Sequence, residues 1–349
     1  MDKIFEIFTL KNKTVKNRIV FPPMVMFDKD IKNGKLTSGV IDHYKNIAKA
    51  GCSIIVAEAT AVADNGCLTP LQLGIWDDSF IEGLSALSAA AHDEGAIALI
   101  QLLHAGGLTS KATTDNIVAP SSQQFGENNA RALSLDEIED IKKMFVGAGV
   151  RAKKAGFDGV ELHACHGYLL NQFLSHKTNK RDDVYGKDKA KIVIDVIKDL
   201  REQVGDDFII SIRMPGNDPN LETSISYAKQ FEEAGIDLFH ISVGVAADKP
   251  NDLTYEENDK YNWIVATGIE LKKHISKPVI VVNSIRTPEQ ANYILENSNV
   301  EFVALGKGYL CDLNWIKKVK TNEPVKKCIG CSKCLRGTGI SNCVLGSEK

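Results

Sequence analysis

The sequence predicts a single (β/α)8 TIM barrel of the α/β class, and three observations support this. Short apolar segments alternate with longer amphipathic ones along the chain, and eight such pairs can be counted. Strict alternation of strands and helices is typical of parallel sheets, and eight units favour a closed barrel. The 349 residues fit one barrel of about 250 residues with insertions and a tail. An open doubly wound sheet is the alternative, but residues 24–28 lack the glycine-rich loop that such sheets carry after their first strand.

The elements are predicted from apolar runs and from the residues that begin and end helices. The predicted strands are 18–24, 53–60, 96–103, 159–164, 208–214, 238–244, 278–284 and 301–306. The predicted helices are 38–50, 79–94, 134–156, 188–204, 224–234, 258–275, one from 287 and a short one from about 314. Ser134-Leu-Asp-Glu137 is a capping box, and Pro288 suits a first helical turn. Residues 104–132 show no periodicity and are predicted to be a long loop.

Composition excludes several classes of protein. The chain is 44% hydrophobic and 25% charged with a net charge of -3, which argues against a nucleic-acid or anionic-membrane partner. The charged residues among positions 1–10 fit neither a signal peptide nor a membrane span. We therefore expect a cytoplasmic protein with reduced thiols. A homo-oligomer is compatible with the sequence.

Near the carboxyl ends of several predicted strands, polar residues alternate with apolar ones, so the polar side chains of each strand share one face. Gln101, His163, Arg213 and His240 come from four different strands, and Glu161 shares the phase of His163. Barrel enzymes build their active sites at the carboxyl ends of the strands, so these side chains are expected to face one mouth. The alternative for Arg213 is a purely structural ion pair with Glu161.

The residues that follow the fourth strand are the most informative part of the chain. His163, His166 and Tyr168 lie within six positions of one another. Two imidazoles and a phenol at a barrel mouth are suited to holding a carbonyl oxygen and delivering a proton. The alternative is three hydrogen-bonded polar residues in a tight turn.

The seventh and eighth strands predict a phosphate site. They end in Asn283-Ser284 and in Gly306-Lys307-Gly308. The loops after these two strands commonly bind phosphate in such barrels. Small residues let backbone N–H groups approach a phosphate, and Lys307 supplies positive charge.

Six stretches in order resemble the old yellow enzyme / NADH:flavin oxidoreductase family of FMN-dependent barrels. They are residues 17–24, 74–78, 100–106, 157–168, 179–186 and 304–306. The resemblance covers about residues 4–320 and implies a barrel at 1–320, followed by a cysteine-rich tail at 321–349.

The resemblance also implies roles for individual residues. Those implied to contact FMN are Pro23, Met24, Val25, Ala59, Gln101, Arg213, Asn283, Ser284, Gly306 and Lys307. His163 and His166 resemble the pair that binds a substrate carbonyl, and Tyr168 resembles the proton donor. There are three departures: Val25 stands where relatives carry Cys or Thr, Asn283-Ser284 replaces Gly-Gly, and Lys307 replaces Arg.

Four cysteines crowd the tail, namely Cys328, Cys331, Cys334 and Cys343. In a reducing compartment, four thiolates suit a [4Fe-4S] cluster or a structural zinc, and free thiols are the third alternative. The segment 326–331 resembles the cluster-binding segment of 2,4-dienoyl-CoA reductase and trimethylamine dehydrogenase, although the final gap is shorter here.

The expected function is reduction of the C=C bond of an α,β-unsaturated carbonyl compound, with NAD(P)H or a redox partner protein as reductant. The alternatives are a flavin and iron–sulfur electron-transfer protein, and a non-enzymatic barrel with a zinc-clamped tail.

Overall fold

A closed barrel of eight parallel strands forms the centre of the molecule. The computed structural model describes residues 2–331, 333–335 and 343–345. The barrel strands are β3 (Ile19–Phe21), β4 (Ile54–Ala61), β5 (Ile97–Leu103), β9 (Gly159–His163), β10 (Ile209–Pro215), β11 (Leu238–Ser242), β12 (Val279–Val282) and β13 (Phe302–Ala304). They follow one another around the barrel in sequence order, and β13 pairs with β3 to close it. The predicted TIM barrel is confirmed.

Five further strands lie outside the barrel: β1 (Phe8–Leu10), β2 (Lys13–Val15), β6 (Val118–Ala119), β7 (Gln123–Phe125) and β8 (Asn128–Ala132). The helices are α1 (Ser38–Lys49), α2 (Ile81–His92), α3 (Leu135–Lys154), α4 (Leu169–Leu174), α5 (Val184–Lys187), α6 (Lys191–Val204), α7 (Leu221–Ala234), α8 (Trp263–Lys272), α9 (Pro288–Asn297), α10 (Lys307–Cys311) and α11 (Trp315–Thr321). None of the helices in the described part of the chain is long and apolar enough to cross a membrane.

The interior of the barrel is apolar at its amino end and polar at its carboxyl end. The β1–β2 hairpin places Leu10 and Val15 in one buried cluster with strand residues such as Ile54 and Leu99. This hairpin therefore covers the amino end of the barrel. The sequence analysis missed it because each strand has only three residues, too few for an alternating pattern.

The long-loop prediction for residues 104–132 was wrong in part. Strands β6, β7 and β8 form a three-stranded sheet in this segment. Only Ile117, Ala119 and Ala130 are fully buried in its apolar cluster, so the period-two signal is weak. The helix predicted at 258–275 is shorter, since α8 covers Trp263–Lys272. Helices α5 and α10 were not predicted.

The local signals for helix ends were reliable. Ser134 accepts the backbone N–H of Glu137 and the Glu137 side chain accepts the N–H of Ser134, so the capping box is present. Thr287 caps α9, with Pro288 in the first turn. These caps satisfy backbone donors that a helix start otherwise leaves without a partner.

Candidate active site

A cavity of about 280 Å³ opens at the carboxyl end of the barrel. It is lined by ten of the predicted site residues: Pro23, Met24, Val25, Ala59, Gln101, His163, His166, Tyr168, Arg213 and the tail cysteine Cys334. A larger groove of about 710 Å³ lies on the outer surface at α7 and α8 and contains none of them. The cavity at the mouth is therefore the candidate active site.

The two imidazoles and the phenol form one cluster inside this cavity. The ring centroids of His163 and His166 are 5.0 Å apart, and those of His163 and Tyr168 are 4.8 Å apart. His163 ends strand β9, whereas Tyr168 directly precedes α4. His166 lies between them with a φ of 61°, in the left-handed region. This conformation is unfavourable for a residue with a side chain, and such strain concentrates at functional sites.

Burial and neighbouring positive charge keep both imidazoles neutral. Burial lowers the pKa of His163 well below its ordinary value, and His166 and Arg213 lower it further. Burial also lowers the pKa of His166 well below its ordinary value, with Arg213 and His240 acting in the same direction. Burial raises the pKa of the Tyr168 phenol, so it stays protonated at neutral pH. Two neutral imidazoles and one phenol can all donate hydrogen bonds.

A buried polar network lies beneath the cavity. Gln101 Nε2 donates to Glu161 Oε1 at 2.8 Å, and the Glu161 Oε2 to His240 Nδ1 distance is 2.9 Å. Gln101 and Glu161 are paired in register on β5 and β9, and Arg213 is paired with His240 on β10 and β11. Among the described residues, no carboxylate lies within ion-pair distance of Arg213, and its Nε has no hydrogen-bond partner. The structural ion pair between Arg213 and Glu161, considered from the sequence, is therefore absent from the described residues.

A second cavity of about 230 Å³ adjoins the first, and both are lined by Pro23, Met24 and Arg213. It contains the remaining predicted cofactor residues, Asn283, Ser284, Gly306 and Lys307. Asn283 and Ser284 have φ values of 119° and 56°, a backbone conformation that glycine adopts without strain. The two cavities together fall within the range of small-molecule sites, roughly 300–1,000 Å³.

Several lining residues escaped the sequence analysis, among them Arg286, His43 and Leu68. Arg286 lines the second cavity beside Lys307, which gives this end a second cation. His43 and Leu68 line the first cavity. His43 is buried on α1, and neither of its ring nitrogens has a hydrogen-bond partner among the described residues. No local motif marks these positions, because the fold brings them in from a helix and from loops.

The tail begins directly against the two cavities. Cys334 lines the first cavity. Gly330 packs so closely against Arg286 that a Cβ atom at this position would lie 2.8 Å from Arg286 Nη2. The Gly330 N–H donates to Cys328 Sγ at 3.4 Å. Burial raises the pKa of Cys334, and the nearby Cys328 and Cys331 thiols raise it further against the effect of Lys307.

The tail cysteines do not form a closed metal-binding group in the part of the chain that the structure describes. Within that part, the group with ligand atoms all inside 4.8 Å of one another is His163, Cys165 and His166. Some of the predicted tail ligands nevertheless lie near one another, since Cys328 and Cys331 both influence the pKa of Cys334. Cys343 and Cys328 both lie close enough to Cys311 to raise its pKa, after burial as the main cause.

Comparison with known proteins decides the family. Residues 3–326 match the NADH:flavin oxidoreductase / NADH oxidase family. The chain belongs to this family. The resemblance inferred from the six stretches is therefore confirmed.

Individual relatives agree with this assignment. The NADH oxidase of Thermoanaerobacter brockii is 36% identical over 347 residues, which are 95% of this chain and 53% of that protein. A 2-naphthoyl-CoA reductase structure in complex with 2-naphthoyl-CoA aligns with a TM-score of 0.88 and 25% identity, over 99% of this chain and 56% of that one. The chain thus spans about half the length of these two relatives. The old yellow enzyme homologue of Zymomonas mobilis aligns with a TM-score of 0.79 and 26% identity, over 93% of this chain and 94% of that one.

Proposed function

We propose that this member of the NADH:flavin oxidoreductase family is an FMN-dependent enzyme that reduces the C=C bond of an α,β-unsaturated carbonyl compound. The observation that carries the proposal is the cavity itself. Hydrogen-bond donors from His163, His166 and Tyr168 meet in it, and Gln101 and Arg213 lie in the same cavity. Family membership argues against the non-enzymatic alternative.

The residues of the two cavities fit FMN. Arg213 Nε is buried without a protein partner, and the Gln101 amide oxygen has none among the described residues either. An electron-rich ring with an imide edge would satisfy both groups. Arg286 and Lys307 at the far end supply positive charge for a phosphate. We assign the pyrimidine edge to Gln101 and Arg213, the ring faces to Pro23, Met24, Val25 and Ala59, and the phosphate end to Asn283, Ser284, Gly306 and Lys307.

When bound and reduced by NAD(P)H, FMN supplies the hydride. The chain's own residues handle the oxygen and the proton. Neutral His163 and His166 would each donate a hydrogen bond to the substrate carbonyl oxygen and stabilise the negative charge that develops there. Tyr168, a protonated phenol, would deliver its proton to the α-carbon as a general acid.

We also propose that Cys328, Cys331, Cys334 and Cys343 hold a metal centre beside the flavin. Four thiolates are the donor set of a [4Fe-4S] cluster, which we favour, and of a structural zinc. The placement of Cys334 in the wall of the first cavity supports this, because a cluster there would lie within reach of the flavin for electron transfer. The same observation supports a redox partner protein as an alternative electron donor to NAD(P)H.

Spectra of the purified protein test the proposal. Protein prepared without oxygen should show flavin absorption that NADH or NADPH bleaches and that an enone restores. Released FMN should be identified by its own chromatographic mobility. A colourless protein that also fails to bind added FMN would contradict the proposed function.

A further inference from the structure

Each imidazole of the catalytic pair has one ring nitrogen engaged by a neighbouring side chain. His166 Nε2 lies 2.7 Å from Ser242 Oγ, and His163 Nδ1 lies 3.7 Å from Cys165 Sγ. Cys165 and Ser242 are buried, with relative exposures of 0% and 4%. The opposite ring nitrogens, His163 Nε2 and His166 Nδ1, are the ones left to a ligand.

These contacts matter because the His163 and His166 rings are both neutral. Burial, together with Arg213 and His240, lowers the pKa of both rings. A neutral imidazole carries a single N–H, so its tautomer decides whether the nitrogen that faces a ligand donates or accepts. A substrate oxygen is held by both rings only if both free nitrogens carry the proton.

The two neighbours are suited to donate. The Ser242 hydroxyl has no other hydrogen bond among the described residues, so donation to His166 Nε2 satisfies both groups. Burial raises the pKa of Cys165, which keeps it a thiol with an S–H to give. The residue that follows β11 also fixes the His166 backbone, whose N–H donates to the Val243 carbonyl at 2.9 Å. This hydrogen bond fixes the backbone of His166 in its left-handed conformation, and it thereby fixes the position of the His166 ring.

We propose that Cys165 and Ser242 are positioning residues that set opposite tautomers in the two rings, Nε2–H in His163 and Nδ1–H in His166. Both N–H groups then point at one acceptor oxygen. The site would take a carbonyl or phenolate oxygen at this point and disfavour a ligand that presents a donor. That this oxygen belongs to the substrate rests on the proposed function, but the tautomer assignment does not.

One feature of the site opposes the assignment for His163. The backbone carbonyl of His163 raises the pKa of its own ring, against the effect of burial. It therefore favours a proton on the ring nitrogen that faces this carbonyl. The two arrangements place the proton on different nitrogens, so they can be told apart directly.

Nitrogen-15 NMR of histidine-labelled holoprotein tests the proposal without any substrate. His163→Gln and His166→Gln assign the resonances. We expect a protonated Nε2 in His163 and a protonated Nδ1 in His166 of the wild type. The opposite tautomer in either ring would overturn the proposal. In Ser242→Ala the His166 proton should move to Nε2, whereas Ser242→Thr should keep it on Nδ1. An unchanged tautomer in Ser242→Ala would show that Ser242 has no positioning role.

Ligand affinity gives a second readout. The loss of one donated hydrogen bond should weaken 4-chlorophenol binding about tenfold in Ser242→Ala and in Cys165→Ala. The conservative variants Ser242→Thr and Cys165→Ser should recover part of that loss. Wild-type protein that binds no phenol and reduces no enone would defeat the proposed function, while the NMR result would still decide the tautomer assignment.

Discussion

Gln101 donates its side-chain N–H to Glu161 at 2.8 Å, and this contact determines which end of the Gln101 amide faces the cavity. Glu161 is fully buried and engages His240 with its other oxygen at 2.9 Å. The amide oxygen of Gln101 is thereby left as the acceptor for the proposed FMN. The network connects three barrel strands, β5, β9 and β11, beneath the cavity in which FMN binding is proposed.

Glu161→Gln is therefore expected to weaken FMN binding. The new amide has one acceptor oxygen for two donors, so either Gln101 or His240 loses its partner. We expect the dissociation constant of FMN to rise about tenfold, measured by titrating apoprotein with FMN and following the flavin fluorescence. Ser211→Ala is the matched control, because Ser211 is paired with Glu161 in register and its hydroxyl has no partner among the described residues. Equal constants for Glu161→Gln and the control would contradict this role.

Ser284 should tolerate glycine and reject a β-branched residue. Its φ of 56° lies in the left-handed region, where glycine is unstrained. Ser284→Val is expected to lower the free energy of unfolding by about 1–3 kcal/mol, and Ser284→Gly to leave it unchanged or higher. Urea unfolding of both variants measures the difference. A similar loss in both would show that the hydroxyl, and not the backbone, matters at this position.

Glu58 should make stability fall as pH rises. Burial raises its pKa from the ordinary 4.5 to about 8, against the effect of the Met26 N–H that it accepts at 3.1 Å. The native state therefore keeps a proton that the unfolded chain releases above pH 4.5. The stability gained is complete below that value and is lost as pH rises toward about 8.

Glu58→Gln removes this titration but keeps an acceptor for Met26. Between pH 5 and pH 8 the free energy of unfolding of the wild type should fall more steeply than that of the variant, by at most about 1.4 kcal/mol per pH unit. Urea unfolding at several pH values gives both slopes. Parallel curves would mean that Glu58 is ionised in the native protein.

Much of this site was predictable from the strands. Alternation along a strand determines which face a side chain occupies, and the parallel order of the strands brings their carboxyl ends together. Gln101, His163 and Arg213 were identified because the carboxyl ends of parallel strands must share one mouth. His43 and Arg286 were not, because a single polar residue on a helix or in a loop carries no periodic signal. Cys165 was given no role from the sequence, although its contact with His163 places it in the site. Contacts between residues far apart in sequence, such as Cys334 with the first cavity, needed the three-dimensional structure.

Cys331→Ser tests the metal centre in the tail. The eight barrel strands end at Ala304, before the first tail cysteine, so the variant should fold and keep its flavin. We expect iron and acid-labile sulfide to disappear from protein purified without oxygen, with the thermal midpoint of the barrel little changed. Cys67→Ser, which alters a buried cysteine outside the tail, should retain the iron. Wild-type protein that contains zinc and no iron would contradict the cluster.

The central claim is that Tyr168 delivers the proton to the substrate, and Tyr168→Phe tests it. The variant keeps the ring that packs edge-on against His163 at 4.8 Å and removes only the hydroxyl. Stopped-flow absorbance separates the two half-reactions. Reduction of the flavin by NAD(P)H needs no proton from Tyr168 and should proceed at nearly the wild-type rate. Reoxidation by an enone should slow by about 10²–10⁴-fold, whereas reoxidation by a quinone, which needs no carbon protonation, should change little. Equal enone rates in wild type and Tyr168→Phe would contradict the claim.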